Sequence, residues 1–326
     1  QANDGVPAGF IADAVLVSPA SSGALDLNPD GSFSYTAALG FTGIDRFTYR
    51  LEGGDSESNV ATVSIDVAGN PLVVTNTNDG GFGSLRFAME YANSHPNGEG
   101  IDVISFHIPG EGPRRIAPAT LLPIVADPVI IDGTTQPGWN GTPVVIVDGA
   151  STAVPPEVDG AYGFGITAGG STLRGLAVVN APGRGVVLST GGGNVVESNW
   201  IGVDPATGEA APNRGESGLA MLRESGGNLV VGNVISGNAG SGVGIHDGVA
   251  NAVRGNRIGT DASGTGAIPN GSGGIFVSGG ANHRIGGAAA GEGNVVSGNT
   301  GTGIYMQNVT ATAVLGNYVG VDAAGL

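Results

Sequence analysis

A short pattern, Asn-x-Val-x-x-Asn-x-Ile-Gly, recurs through the C-terminal half of this chain and constrains its fold more than any other feature. It runs from Asn194 to Gly202 and recurs at Asn228 (Asn-Leu-Val-Val-Gly-Asn-Val-Ile-Ser) and at Asn251 (Asn-Ala-Val-Arg-Gly-Asn-Arg-Ile-Gly). It returns at Thr312 as Thr-Ala-Val-Leu-Gly-Asn-Tyr-Val-Gly, and a related start at Asn282 is interrupted by residues 288–292. Interleaved with these copies is an apolar pattern that opens at Gly163, Gly185, Gly218, Gly242, Gly274 and Gly303, a mean interval of 28 residues. A fixed-order repeat of this size marks a solenoid. Leucine-rich and ankyrin repeats need a helix or a Leu-rich consensus, which these segments lack. A parallel β-helix with two or three strands per coil fits, its inward Val and Ile forming one column. Asn199, Asn233, Asn256 and Asn317 fall at equivalent corners, where amides stack as a ladder and each copy supplies the next with partners.

Composition agrees. Of 326 residues, 62 are Gly and 18 Pro, yet 40% are hydrophobic and only 12% charged, which argues for strands and tight turns against disorder. The formal net charge is −16 and all twelve basic residues are Arg, so the basic footprint that nucleic acid or an anionic membrane requires is missing. There is no cysteine, hence no disulfide, thiol nucleophile or thiolate metal site. No run approaches the ~18 apolar residues of a membrane span.

Two regions precede the repeat. Residues 1–69 carry alternating strand patterns at Leu25–Leu27, Ser32–Tyr35, Arg46–Arg50 and Ala61–Val67, with Asn28-Pro-Asp-Gly31 as a hairpin turn. They predict a small antiparallel β-sandwich. From residue 70 onward, Leu85, Ala88, Met89 and Ala92 lie at helical spacing and predict one amphipathic helix over about 84–94. Laid over the first coil, it covers an edge that would otherwise template pairing with other chains.

Both regions resemble known families. Leu25-Asp-Leu-Asn-Pro-Asp-Gly-Ser-Phe-Ser-Tyr35 and Gly40-Phe-Thr-Gly-Ile-Asp-Arg-Phe-Thr-Tyr49 resemble bacterial cadherin-like, tandem-repeat adhesin modules. Only Ala2-Asn3-Asp4 of their Leu-x-Asn-Asp motif is present, so the resemblance places the first strand before Gln1. Gly83-Ser-Leu-Arg-Phe-Ala-Met-Glu-Tyr-Ala-Asn93 and Ile131-Asp-Gly-Thr-Thr-Gln-Pro-Gly-Trp139 resemble large bacterial right-handed β-helix surface proteins, whose helix motif usually begins Cys-Ser-Leu-Arg-Glu-Ala. Here Gly83 and Phe87 replace the Cys and the Glu. The resemblance implies an all-β chain: an Ig- or cadherin-like module over 1–69, then a right-handed parallel β-helix over 70–326. It further implies an extracellular or cell-surface bacterial location and a structural or adhesive role, with self-association, neighbouring surface proteins or polysaccharide as partners.

Enzymatic chemistry competes with this reading. A glycoside hydrolase needs two carboxylates on adjacent coils, and Glu197, Glu224 and Asp247 are the candidates near strand ends, Glu224 and Asp247 following equivalent patterns. A polysaccharide lyase needs a base and a cation; His246 beside Asp247, with Arg254, Arg257 or Arg284, is the closest approach, and His283 sits beside Arg284 in the same manner. Strand alternation sends neighbours such as His246 and Asp247 to opposite faces. Calcium is the expected ion if any binds: Asp204, Asp261 and Asp322 recur after the same Ile/Val-Gly unit, one per long loop. The competing reading gives each of them a turn hydrogen bond within its own loop. The sequence favours the turn reading and so no catalytic residue and no cofactor, with a carbohydrate-active enzyme or a calcium-dependent glycan-binding module as the alternatives.

Overall fold

The computed structural model describes residues 12–38, 41–54, 56–98, 100–156 and 160–326. The chain forms two compact units, Gln1–Asn70 and Pro71–Leu326. The Ala2-Asn3-Asp4 motif lies outside the described residues.

The first unit is an antiparallel Ig-like sandwich. Strands β1 (Asp13–Ser18), β4 (Gly43–Gly53), β5 (Ser56–Glu57) and β6 (Ala61–Val67) form one sheet around β4, and β2 (Gly23–Leu27) pairs with β3 (Phe33–Ala37) in a second. The turn between β2 and β3 closes with Asn28 N–H donating to Ser32 O at 2.8 Å. Asp30 accepts from the Ser32 N–H at 2.9 Å, and Gly31 takes φ +85°, which a Cβ would disfavour. Ala12, Ala14, Phe47 and Leu51 are buried.

The second unit is a parallel β-helix. Its chain winds repeatedly through three parallel sheets of nine, eight and six strands. One coil shows the order: Arg184–Leu188 lies in the six-stranded sheet, Val195–Glu197 in the nine-stranded and Trp200–Ile201 in the eight-stranded. Each strand pairs in register with its counterpart one coil on, as in Leu188 with Met221 and Met221 with Ile245. Alternation then points every second residue inward. Leu173, Val196, Val230, Val253 and Ile285 of the nine-stranded sheet meet Val186, Leu219, Val243 and Ile275 of the six-stranded in one continuous core. Each fully buried aliphatic side chain in such a column contributes about 1.5–3 kcal/mol.

The helix, α1 (Leu85–Ser94), starts where the Ser84 side chain accepts from the Phe87 N–H at 3.2 Å. Its buried residues are Leu85, Ala88, Met89 and Ala92, which belong to the same core as Val74, Ile104 and Phe106 of the first coils. The Asp132–Gln136 motif is structural as well. Gln136, 2% exposed, accepts from Ile108 N–H at 2.8 Å and donates to Ile108 O at 2.9 Å, and Thr135 Oγ1 accepts from Phe106 N–H.

Candidate functional site

The three corners of the β-helix each carry a buried column of asparagines. Between the nine- and eight-stranded sheets, Asn199, Asn233, Asn256, Asn294 and Asn317 form a ladder. The backbone N–H and side-chain amide of each donate to Oδ1 of the next at 2.8–3.1 Å. Each spare amide hydrogen reaches a core-strand carbonyl, as Asn233 reaches Val196 O at 2.8 Å. Asn294 is a rung that the interrupted repeat had hidden.

Two further ladders stand at the other corners. Asn194, Asn228 and Asn251 lead into the nine-stranded sheet, and Asn213, Asn238, Asn270 and Asn299 lead into the six-stranded one. In the first of these the next rung is His283 rather than Asn282, because Ala252 pairs with Arg284. Asn251 N–H donates to His283 Nδ1 at 3.4 Å, while His283 Nε2 is buried without a hydrogen-bond partner. Burial lowers the His283 pKa below its ordinary 6.5.

The third ladder explains three of the glycines that open the apolar strands. A Cβ on Gly218 would lie 2.5 Å from Asn238 Nδ2, one on Gly242 2.9 Å from Asn270 Nδ2, and one on Gly185 2.7 Å from Asn213 Nδ2. These three glycines leave space for the ladder amides, whereas Gly163 and Gly303 make room for Val178 and Val319 of the wall.

The outer face of the six-stranded sheet carries an aromatic run and a series of clefts. Strand register places Gly165, Val187, Ala220, Gly244, Phe276 and Tyr305 in one outward row across six coils. The Phe276 and Tyr305 rings stack at 5.6 Å and 6°, and the His246 ring lies 5.6 Å from Phe276. Three adjoining clefts of about 260, 370 and 560 Å³ run along this face. The first two share Ser241, Ser272 and Phe276, and the second meets the third at Glu216, which pairs with Arg184. Burial, with repulsion from Arg184, lowers the His246 pKa below 6.5 and favours the neutral ring.

The remaining candidates are dispersed. Asp247 does not face Glu224: with Met221 opposite Ile245, its neighbour is Arg223, and those two pair at 3.3 Å. Glu224 is exposed. Arg254 lies on the nine-stranded sheet, away from the His246 sheet, and shares Glu292 with Arg284 at 2.8 and 3.0 Å. Glu197 makes a long contact of 3.5 Å with Arg174. Arg257 is on the eight-stranded sheet.

The three loop aspartates stay in separate loops. Asp204 accepts from Ala206 N–H and pairs with Arg115, and Asp322 accepts from Ala324 and Leu326 N–H. Burial raises the Asp261 carboxyl, but hydrogen bonds from Ser263, Gly266, Thr265 and Gly264 outweigh it and hold the pKa below its ordinary value. Among the described residues no group of three His, Asp or Glu gathers in a metal-binding arrangement.

Residues 2–66 match the family model of the bacterial Ig domain, and no curated protein matches the chain. A bacterial Ig domain together with a parallel β-helix is typical of surface or secreted bacterial proteins. Among the described residues no helix is long and apolar enough to cross a membrane.

Proposed function

We propose that this chain is a structural and adhesive segment of a cell-surface or secreted bacterial protein, serving in a stalk, sheath, filament or matrix. The observation that carries the reading is the set of three amide ladders at the corners of the β-helix. A ladder couples each coil to the next by paired hydrogen bonds inside the wall, so pulling one coil away breaks many bonds at once. The resemblance to adhesin modules and to bacterial β-helix surface proteins supports the same role. Its partners on this reading are neighbouring surface proteins, further copies of the chain, or polysaccharide.

Single-molecule pulling on the whole chain tests it. The β-helix is expected to resist as a block and then release its coils at high force. Extension at forces comparable with those of an unstructured chain would overturn the load-bearing role. Incubation with neutral and acidic polysaccharides, with and without calcium, tests the enzymatic alternative. Product release abolished by His246→Ala would replace this reading with a lyase or hydrolase.

A further inference from the structure

We propose that the outer face of the six-stranded sheet binds a neutral polysaccharide chain laid across successive coils, with the Tyr305, Phe276 and His246 rings as its stacking platform. This deepens the adhesive reading and rests on it.

Four observations converge on that occupant. First, the rings of three consecutive coils form a continuous run, His246 to Phe276 and Phe276 to Tyr305, with centroid steps of 5.6 Å each. The Phe276 and Tyr305 planes are parallel and the His246 plane is tilted 42° to Phe276, so the run forms an apolar ridge, ending in the half-exposed Tyr305 ring, against which the C–H faces of a sugar polymer can pack. Second, the floor beside the rings is built of small residues, Gly244 and Ala220, with the His246 ring over Gly244, and the clefts adjoin along it.

Third, the walls offer hydroxyls rather than charges. Ser241, Ser272 and Thr302 line the clefts, and Ser217, 1% exposed, has an Oγ without a hydrogen-bond partner. That Oγ and His246 Nε2 lie 3.2 and 3.0 Å from the point where a Gly244 Cβ would stand. A buried hydroxyl without a partner is uncommon, and beside the His246 ring it marks a place where a ligand hydroxyl would complete the bonding. Fourth, the charged residues lining these clefts, Arg184 and Glu216, pair with each other. Together with a net charge of −16 and no lysine, this disfavours a polyanion.

The experiment is affinity electrophoresis of the whole chain through gels containing a soluble neutral glucan, galactomannan or polygalacturonate. Tyr305→Ala, Phe276→Ala and Ser217→Ala are compared with wild type, and Glu197→Gln on the nine-stranded sheet serves as control. Tyr305 is 45% exposed, so its variant folds even where the Phe276 variant does not. The expected result is retardation by a neutral glycan that Tyr305→Ala weakens about tenfold and Glu197→Gln leaves intact. Equal retardation of Tyr305→Ala and wild type, or retardation by polygalacturonate alone, overturns the proposal. So does no retardation by any of the three, which leaves this face to a protein partner. The pulling experiment is independent of these variants. A failed groove therefore leaves the load-bearing reading standing, and a weak wall leaves the groove standing.

Discussion

The two units solve one problem, holding strands together around polar atoms withdrawn from water, in opposite ways. Among its described residues, the Ig-like unit relies on a single buried carboxylate. Asp45, 2% exposed, accepts from Ser21 N–H and Oγ, Ser22 N–H, Tyr35 Oη and Arg46 N–H at 2.8–3.1 Å. Tyr35 lies on β3 and Asp45 on β4, so one carboxylate ties the two sheets. Burial alone would raise its pKa, but hydrogen bonds from Ser22, Ser21, Tyr35 and Arg46 win and lower it to about 2. The β-helix spreads the same task over neutral amides repeated at every coil. A lone charge suits a small unit with few buried apolar residues, whereas a long wall needs a device that copies itself without accumulating charge.

Breaking a ladder in the middle gives the largest effect. Asn233→Ala strands the Asn199 backbone and side-chain donors and the Val196 carbonyl inside the wall. At about 1–3 kcal/mol per stranded group, the expected loss is roughly 4 kcal/mol. Urea unfolding followed by tryptophan fluorescence reads it, because both tryptophans, Trp139 and Trp200, lie in the β-helix. Gly218→Ala comes next. Its methyl presses on Asn238, and overpacking of this kind costs about 1–3 kcal/mol in the same assay.

Acid separates the units. Asp45 has a folded pKa below the ordinary 3.8, so the stability it contributes is complete above about pH 4 and is lost as the pH falls toward 2. Amide exchange in β4 is expected to accelerate over that window, and Asp45→Asn to flatten the dependence. The smallest effect is His283→Asn. A histidine whose folded pKa is lowered binds its proton more readily when unfolded, so it weakens the β-helix progressively as the pH drops below 6.5. His246 shifts in the same direction, so the asparagine variant removes only the His283 share of the slope. An unchanged slope would place His283 outside the folding balance.

What the sequence revealed follows from how local each signal is. The helix was legible to the residue, because Leu85, Ala88, Met89 and Ala92 repeat within one element. The rungs Asn199, Asn233 and Asn256 were legible because each follows a strand at fixed spacing. Asn294 was masked by the insertion at 288–292, and Asn213, Asn238, Asn270 and Asn299 by return loops of unequal length. The opening glycines were visible as a pattern, but the reason for Gly185, Gly218 and Gly242 is an amide contributed from another part of the coil. His246, Phe276 and Tyr305 are about 30 residues apart in sequence. Only strand register makes them neighbours, so no linear motif announces the aromatic run.

The return loops alternate. Long excursions follow Ile201-Gly202 and Ile258-Gly259, and each is succeeded one coil on by a tight Ser-Gly-Asn return, at Ser236–Asn238 and Ser297–Asn299. The excursion after Ile258-Gly259 meets the stretch after Val319-Gly320 across the second of these returns, with Ala323 N–H donating to Gly264 O at 3.0 Å. Asp204, Asp261 and Asp322 are accordingly 57 (204 to 261) and 61 (261 to 322) residues apart, twice the coil period. Arms thus leave the wall on every second coil, so removing one bare coil would bring two arms onto neighbouring coils.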